Sequence, residues 1–312
     1  MATVLGVLGT DSGHHPAAAL VVDGAVVAFA EEDRFTRHKG GVVPFPLEAT
    51  RWALRAAGLQ PADVDRVACG WDCERYRWEM PARFGAHHLL YRRHRKPPAA
   101  ARSTQRTDGW VRGFSWLAVH RPAWVRHRLS QGMRAAGLVG AMPPVSFHPH
   151  HRAHAASAAW LSGEERSVVL VVDGSGEDVS ATAWRSSGLD LERLWSIPLP
   201  HSLGWFYSAF TEYLGFVPNR HEGKLMGLAA YGRPREEYLR AMQEVLPIDG
   251  GAFRFEPSWG KYGHRSWGEQ FSDRCVQRFG VPRRPDEPFT AAHHDLAWAV
   301  QHRLEEAVVA LA

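Results

Sequence analysis

The sequence predicts an α/β protein built from two similar halves. Three short apolar runs near the amino terminus have the length of strands, at residues 4–8, 18–22 and 25–30. Asp23-Gly24, between the last two, is a strong hairpin signal. A second set of three runs occurs in the middle of the chain, at residues 167–173, 179–184 and 191–197. Helical patterns follow each set, so strands and helices share the fold.

The first meander is followed by a helix over residues 46–57, with Pro46 near its first turn and Gly58 just past its end. A strand over 64–70 comes next. A meander, a helix and another strand do not form a dinucleotide-binding pattern, but they suit one half of an actin-like ATPase or sugar-kinase fold. That fold is a duplicated ribonuclease H-like unit, and the second meander predicts the second half.

Most of the second half is predicted to be helical. A strand at 145–147 and a helix at His150–Leu161 precede the second meander, whose almost wholly apolar first strand predicts burial on both faces. The later helices are expected at residues 202–214, 222–230, 234–246, 267–279 and 290–311. The last has an apolar stripe from Leu296 to Leu311 and no terminal cap. We therefore expect truncation before the end of the second lobe, with an apolar face left for a partner.

Composition excludes two classes of protein. At 312 residues the chain can bury a large core, and it has no run of about 18 apolar residues that could span a membrane. The amino terminus lacks the pattern of a secretory signal. The three cysteines do not make a disulfide framework. We therefore expect a cytoplasmic protein with no membrane segment.

An insertion at about residues 75–134 is strongly basic. Between Pro81 and Arg134 the chain has twelve Lys and Arg residues and one acid, Asp108, although its overall net charge is only +4. Aromatic residues are interspersed, which is compatible with stacking on nucleic-acid bases. No RNA-binding or helix-turn-helix signature accompanies them. We therefore favour an insertion that packs on another domain or covers a substrate over a nucleic-acid interface.

The histidines of residues 148–154 form the sharpest chemical pattern. His150 and His154 are four residues apart, which on a helix places them on one face with Cβ atoms about 5–6 Å apart. Two imidazoles at that spacing can bind one metal ion at roughly 2.1 Å each, while His151 points elsewhere. Because the chain contains 18 histidines, a structural or solvated cluster explains the pattern, taken alone, equally well.

A second pattern is the turn at residues 173–177, where the sequence Asp-Gly-Ser-Gly-Glu follows a predicted strand. Gly174 and Gly176 would let backbone N–H groups surround a phosphate. The carboxylate of Asp173 would hold a metal or a water beside it. A tight hairpin turn without a ligand is the alternative.

Two further residues are candidates for chemistry. Lys224 lies beside a glycine at a predicted helix start, where it is either a phosphate ligand or an ordinary surface lysine. His14 ends a similar turn, at residues 10–14 after the first strand, and is a candidate general base.

Taken in order, five segments resemble the O-carbamoyltransferases that act on nodulation factors and on antibiotics such as tobramycin and cephamycins. The segments are VLGTDSGHHPAAALVVDGAVVAFAEEDRFTRHKGG, HHRAHAASA, VVDGSGE, SLGWFYSAFTEYLGFVPNRHEGKLMGLAAYG and HHDLAWAVQHRLEEAV. The fourth is the most specific, and the basic insertion matches no motif of the family. The resemblance implies that residues 1–312 are the amino-terminal part of an actin-like carbamoyltransferase domain.

The resemblance also implies the reaction. A YrdC-like domain, absent here, makes carbamoyl adenylate from carbamoyl phosphate and ATP. The actin-like domain then transfers the carbamoyl group to a hydroxyl of a small-molecule natural-product acceptor, as in antibiotic biosynthesis. By resemblance His150 and His154 are ligands of a divalent metal, Fe(II), and His14 deprotonates the acceptor. The residues that match the nucleotide-phosphate segments are Asp173, Gly174, Gly176 and Lys224.

Two departures limit what the chain is expected to do alone. His15 stands where the family usually has an aspartate after His14, and the adenosine segment and a later aspartate ligand of the metal are missing. We therefore expect a chain that binds nucleotide weakly and acts with a complementing chain carrying the missing part. The alternative is a catalytically inactive ATPase-like scaffold that serves a partner.

Overall fold

The computed structural model describes residues 2–9, 15–38, 43, 45–90, 120–260 and 270–312, with the backbone alone at 81, 83–90 and 257. The chain divides into two compact units, residues 1–79 with 109–153 and residues 80–108 with 154–312. The three cysteines are buried thiols and are not disulfide-bonded. None of the described helices is both long and apolar enough to cross a bilayer.

The first unit is built on a five-stranded sheet. Its strands are β1 (Thr3–Leu8), β2 (Ala17–Val22), β3 (Ala25–Glu31), β4 (Arg66–Cys69) and β5 (Val145–Phe147). Its helices are α1 (Asp33–Thr36), α2 (Leu47–Ala56) and α4 (Pro122–Ala136). Two more helices begin in this unit and continue into the second, α3 (Cys73–Leu90) and α5 (His150–Leu161).

The strand order identifies the fold of this unit. The order is β3-β2-β1-β4-β5. Strand β2 runs antiparallel to β1 and β3, whereas β1, β4 and β5 are parallel. One reversed strand in this order is the arrangement of a ribonuclease H-like half, so the fold class predicted from the sequence is confirmed. The predicted hairpin turn is also present, with Asp23 at φ 48° and Gly24 at φ 83°.

The core of this unit lies on one face of the sheet. Alternate residues of the strands, such as Leu5, Leu20 and Val67, are completely buried. They belong to one cluster with residues of α2 and α4. Helices α3 and α4 lie within the predicted insertion and were not predicted as helices. The remainder of the insertion, residues 91–119, lies outside the described residues.

The second unit contains a three-stranded antiparallel sheet and most of the helices. Its longer strands are β6 (Arg166–Val172), β7 (Val179–Ser187) and β8 (Asp190–Pro198). Its helices are α6 (Leu203–Tyr213), α7 (Glu222–Ala229), α8 (Glu236–Val245), α9 (Asp273–Phe279) and α10 (Ala291–Leu311). A small hairpin is formed by β9 (Ile248–Asp249) and β10 (Ala252–Phe253). The second predicted meander is therefore confirmed as β6-β7-β8.

Two predictions for this unit are wrong. Strand β6 is not buried on both faces, because it is an edge strand of its sheet: Val169 and Val171 pack in the core, whereas Val168 is 72% exposed. The central strand β7 is the one buried along most of its length. The helix expected at 267–279 begins only at Asp273, where the side chain of Ser272 caps it, and residues 267–269 lie outside the described part.

The last helix is also better covered than its sequence suggested. Helix α10 packs against α7, α8 and α6. Leu296, Val300 and Leu311 of the predicted stripe are buried. The apolar face that was expected to await a partner is therefore largely occupied within the unit, although Val309 is 76% exposed.

Helix α2 begins without a side-chain cap of its own, because Pro46 precedes it. The side chain of Glu32, which follows β3 and is 5% exposed, caps the helix instead. Its two carboxylate oxygens accept the N–H groups of Glu48 and Ala49 at 3.1 and 2.8 Å. A buried carboxylate thus satisfies the helix N-terminus and favours its dipole.

Replacing Glu32 by alanine is expected to lower the free energy of unfolding by about 1–3 kcal/mol, because two buried N–H groups lose their acceptors. Urea denaturation measures this. The control is Glu31→Ala, which removes only a surface ion pair with Arg34 and should cost less than about 1 kcal/mol. Equal losses in the two variants would contradict the capping role.

Candidate metal centre

The site begins where two parallel strands end side by side. The N–H of His148, just after β5, donates to the carbonyl of Cys69 at the end of β4 at 2.9 Å. Helix α5 starts two residues later, at His150, as predicted. Carboxyl ends of parallel strands are where open α/β sheets bind their ligands.

His150 is the best-fixed side chain of the histidine cluster. It is 9% exposed, and its Nδ1 lies 3.1 Å from the carbonyl oxygen of Gly70. A carbonyl only accepts, so this hydrogen bond requires a proton on Nδ1, and in the neutral imidazole the lone pair is then on Nε2. That is the tautomer a metal ligand needs. The neighbouring His151 is buried.

His154 follows one turn later on the same helix and faces the end of β6. Its Nε2 lies 3.7 Å from Oδ2 of Asp173, which is too long for a hydrogen bond but within ion-pair range. The side chain of His154 is 50% exposed and that of Asp173 is 35% exposed. Oδ1 of Asp173 accepts the N–H of Gly174 at 2.5 Å, so Oδ2 is the oxygen turned to His154.

These three side chains form a group of metal-type donors. One donor atom from each of His150, His154 and Asp173 lies within 4.8 Å of the others. Donors at roughly 2.1 Å from a shared ion are at most about 4.2 Å apart, so a small torsional adjustment closes the group. Two imidazoles and one carboxylate suit divalent transition metals, including Fe(II).

Sequence reasoning did not group the carboxylate of Asp173 with the two histidines. Asp173 was placed with the phosphate residues, where it would hold a metal or a water, because only its glycine neighbours gave a signal. The available clue was its position, directly after an apolar strand. By sequence alone the two histidines lacked a carboxylate, and the structure supplies a candidate for it.

The turn after β6 is held by backbone bonds. The N–H of Asp173 donates to Ser180 at 2.8 Å, and the N–H of Gly176 donates to Val179 at 2.7 Å. The hydroxyl of Ser202, which caps α6, donates to the carbonyl of Gly174 at 2.7 Å. The predicted phosphate residues Gly174 and Gly176 therefore have their N–H groups engaged within the turn.

Gly204, in the first turn of α6, allows this close approach. A Cβ at Gly204 would lie 2.6 Å from Cα of Gly174 and 2.7 Å from its N. Both contacts are with backbone, which has little room to move. Gly204 is thus a residue that shapes the site and that sequence reasoning passed over inside a longer matched segment.

Two histidines that flank these elements have lowered pKa values. Burial lowers the pKa of His148, and the positive charge of Arg152 lowers it further. Burial likewise lowers the pKa of His201, whose Nδ1–H donates to the carbonyl of Phe255. Both changes favour the neutral imidazole.

The other two predicted residues are not members of this group of donors. Lys224 is exposed in the first turn of α7, and that helix packs against α10 and α6. His14 belongs to residues 10–14, which lie outside the described residues.

The ribonuclease H-like strand order of the first unit gives the chain the fold class of the actin-like ATPases. The family model described as Carbamoyltransferase N-terminus matches residues 4–311, and the chain belongs to this family. The resemblance drawn from the sequence motifs is thereby confirmed.

Curated relatives agree with this assignment. An uncharacterized protein of Synechocystis is 34% identical over 98% of this chain and 47% of its own length. The nodulation protein NolNO of Sinorhizobium fredii is 30% identical over 95% of this chain and 37% of its own. The nodulation protein NolO of Bradyrhizobium diazoefficiens is 35% identical over 51% of this chain and 27% of its own length. The chain thus spans less than half the length of these relatives.

Solved structures show only weak likeness. The match to YeaZ from Pseudomonas aeruginosa covers 64% of this chain and 68% of the YeaZ chain, with 15% identity and a TM-score of 0.32. The match to a Ppx/GppA phosphatase of Aquifex aeolicus covers 98% of this chain and 92% of the phosphatase chain, with 14% identity and a TM-score of 0.30. The strand order of the first unit identifies the fold without them.

Gly204→Ala should displace the turn at Asp173 and lower the free energy of unfolding by about 1–3 kcal/mol, because its methyl group overlaps the backbone of Gly174. Thermal and urea denaturation measure the loss. Gly227→Ala is the control, since a Cβ there meets nothing within 4 Å and alanine favours the helix by up to about 1 kcal/mol. A Gly204→Ala protein as stable as Gly227→Ala would refute the close packing of α6 on the turn.

Proposed function

We propose that the chain is the metal-binding part of an O-carbamoyltransferase. The full reaction would transfer a carbamoyl group from carbamoyl adenylate, made from carbamoyl phosphate and ATP, to a hydroxyl of a small-molecule natural product. Membership of the carbamoyltransferase family supports the reaction class. The single observation that carries the site is the convergence of His150, His154 and Asp173.

The donor set fits the metal. His150 presents Nε2 because its Nδ1–H is bound to Gly70, and His154 presents Nε2 toward Asp173. A carboxylate with two imidazoles is a donor set that Fe(II) accepts. When bound, the ion would polarise the carbamoyl carbonyl and offset the charge of the adenylate phosphate.

The transfer step itself is a substitution at the carbamoyl carbon. The acceptor oxygen forms a bond to that carbon, the bond to the phosphate oxygen breaks, and AMP leaves. The acceptor proton goes to a base, for which we propose His14 from the family resemblance. His15 follows it in place of an acid, so an aspartate does not orient His14 from that position.

We also propose that the turn at 173–177 and Lys224 contact the phosphate of the nucleotide. In the structure the N–H of Gly174 is bound to Asp173 Oδ1. If Asp173 rotates toward a metal, that N–H becomes available to a phosphate oxygen. Metal and phosphate binding would then support each other at this turn.

Since the chain spans less than half the length of its relatives, we propose that carbamoyl adenylate formation needs a further, YrdC-like part. It would be supplied in the same polypeptide or by a complementing chain. We propose a cytoplasmic reaction, in keeping with the three buried thiols. The basic insertion is proposed to cover the acceptor or to pack on the complementing part.

Removing any of the three donors should weaken metal binding by more than about 10-fold, since even indirect partners of a ligand have effects of that size. The variants are His150→Ala, His154→Ala and Asp173→Asn, and anaerobic titration with Fe(II) measures the affinity. His127→Ala and Asp190→Asn are matched controls at exposed positions and should leave the affinity unchanged.

Activity is tested separately, with the complementing part present. Carbamoyl phosphate, ATP and a panel of hydroxylated acceptors are supplied, and carbamoylated product is detected by mass spectrometry. His154→Ala should lower the rate at least 10-fold, whereas His127→Ala should not. A wild-type chain that binds no metal even with the complementing part would instead support the inactive scaffold.

A further inference from the structure

The residue after Gly70 is packed directly against the best-fixed ligand. The ring of Trp71 lies 4.9 Å from the ring of His150 at an interplanar angle of 56°. Trp71 is 5% exposed and belongs to the core cluster of the first unit. The dipeptide Gly70-Trp71 therefore contacts His150 twice, through a carbonyl at Nδ1 and through an indole at the ring.

Trp71 is itself held by a row of aromatic rings. Its ring meets that of Tyr76 edge-on at 4.8 Å and 80°. Tyr76 in turn meets His120 at 4.9 Å and 88°. His120 is 5% exposed. Edge-to-face contacts of this kind favour one orientation of each ring, so Tyr76 and His120 help to fix the orientation of Trp71.

Trp71 contacts His150 through its ring and not through its indole N–H. Within the part of the chain that the structure describes, Nε1 of Trp71 is buried without a hydrogen-bond partner, as is Nε1 of Trp259 in the second unit. What Trp71 offers the site is therefore the tilted packing of its ring on that of His150, at 4.9 Å and 56°.

We propose that Trp71 is a positioning residue that holds the imidazole of His150 in its metal-binding orientation. This inference rests on the proposed metal centre. His154 and Asp173 are substantially exposed and must lose side-chain freedom when they bind an ion. His150 is ordered beforehand, and Trp71 supplies the packing that the hydrogen bond to Gly70 does not.

The test uses Co(II), whose visible absorption reports the number and arrangement of its ligands. Wild type is expected to bind one ion. Trp71→Leu removes the ring face and should raise the Kd at least about 10-fold, with a changed absorption spectrum. Trp71→Phe keeps a smaller ring and should restore part of the affinity. The Trp71→Phe variant also tests the inference if Trp71→Leu fails to fold.

A matched control separates positioning from general stability. Trp259 is 1% exposed, and its ring contacts Arg274 and Phe279 in the second unit. Trp259→Leu should lower thermal stability while leaving the Kd and the Co(II) spectrum unchanged.

The outcomes distinguish the two proposals. If wild type binds Co(II) and His150→Ala does not, but Trp71→Leu matches wild type in Kd and spectrum, only the positioning role is overturned. Equal loss of affinity in Trp259→Leu would overturn it as well. If wild type binds no Co(II), the metal centre and the positioning role both fall.

Discussion

The candidate metal centre depends on one hydrogen bond, from Nδ1 of His150 to the carbonyl of Gly70. That bond exists because β4 and β5 are paired in parallel with Cys69 opposite Phe147. The register brings the residues after each strand to the same edge of the sheet. A shift of one residue would reverse the side chains of β5 and move the start of α5. The chemistry of the first ligand is therefore set by strand pairing before any metal is present.

Asp173 shows how one carboxylate can serve two needs. In the structure Oδ1 satisfies the N–H of Gly174, and Oδ2 faces His154. The glycine therefore stabilises the turn and also keeps one oxygen of Asp173 occupied. A metal that draws on both oxygens must leave the N–H of Gly174 to another acceptor. This exchange gives a physical reason for the proposed phosphate contact and the proposed metal ligand to share one turn.

Turns and helices could be predicted from the sequence where neighbouring residues determine them. Asp23-Gly24 predicted its hairpin, and the alanine-rich run from His150 to Leu161 predicted α5 with the bounds observed. Helix α4 was missed although Pro122 starts it, Gly137 ends it, and Val125, Leu129 and Met133 form a buried stripe. Dense positive charge on the other faces hid that stripe. The insertion was interpreted from its overall composition, and the helical periodicity of its apolar residues was not considered.

The predictions that failed concerned where an element lies in the fold. Strand β6 has the composition of a central strand but lies at the edge of its sheet, while β7, with fewer large apolar residues, is buried more completely. Pairing decides this, and pairing joins distant residues. The grouping of Asp173 with the two histidines was missed for the same reason. Asp173 becomes a partner of His154 only when β6 ends beside α5.

The three donors nevertheless lie close together in the sequence, within residues 150–173. One helix supplies two of them, and the strand that follows ends at the third. Metal binding at this group therefore requires α5, β6 and the partners of His150, all of which this chain contains. Under the proposed function, carbamoyl transfer would require a donor-forming activity in addition to these elements. The affinity for a metal ion therefore tests the candidate site more directly than carbamoyl transfer does.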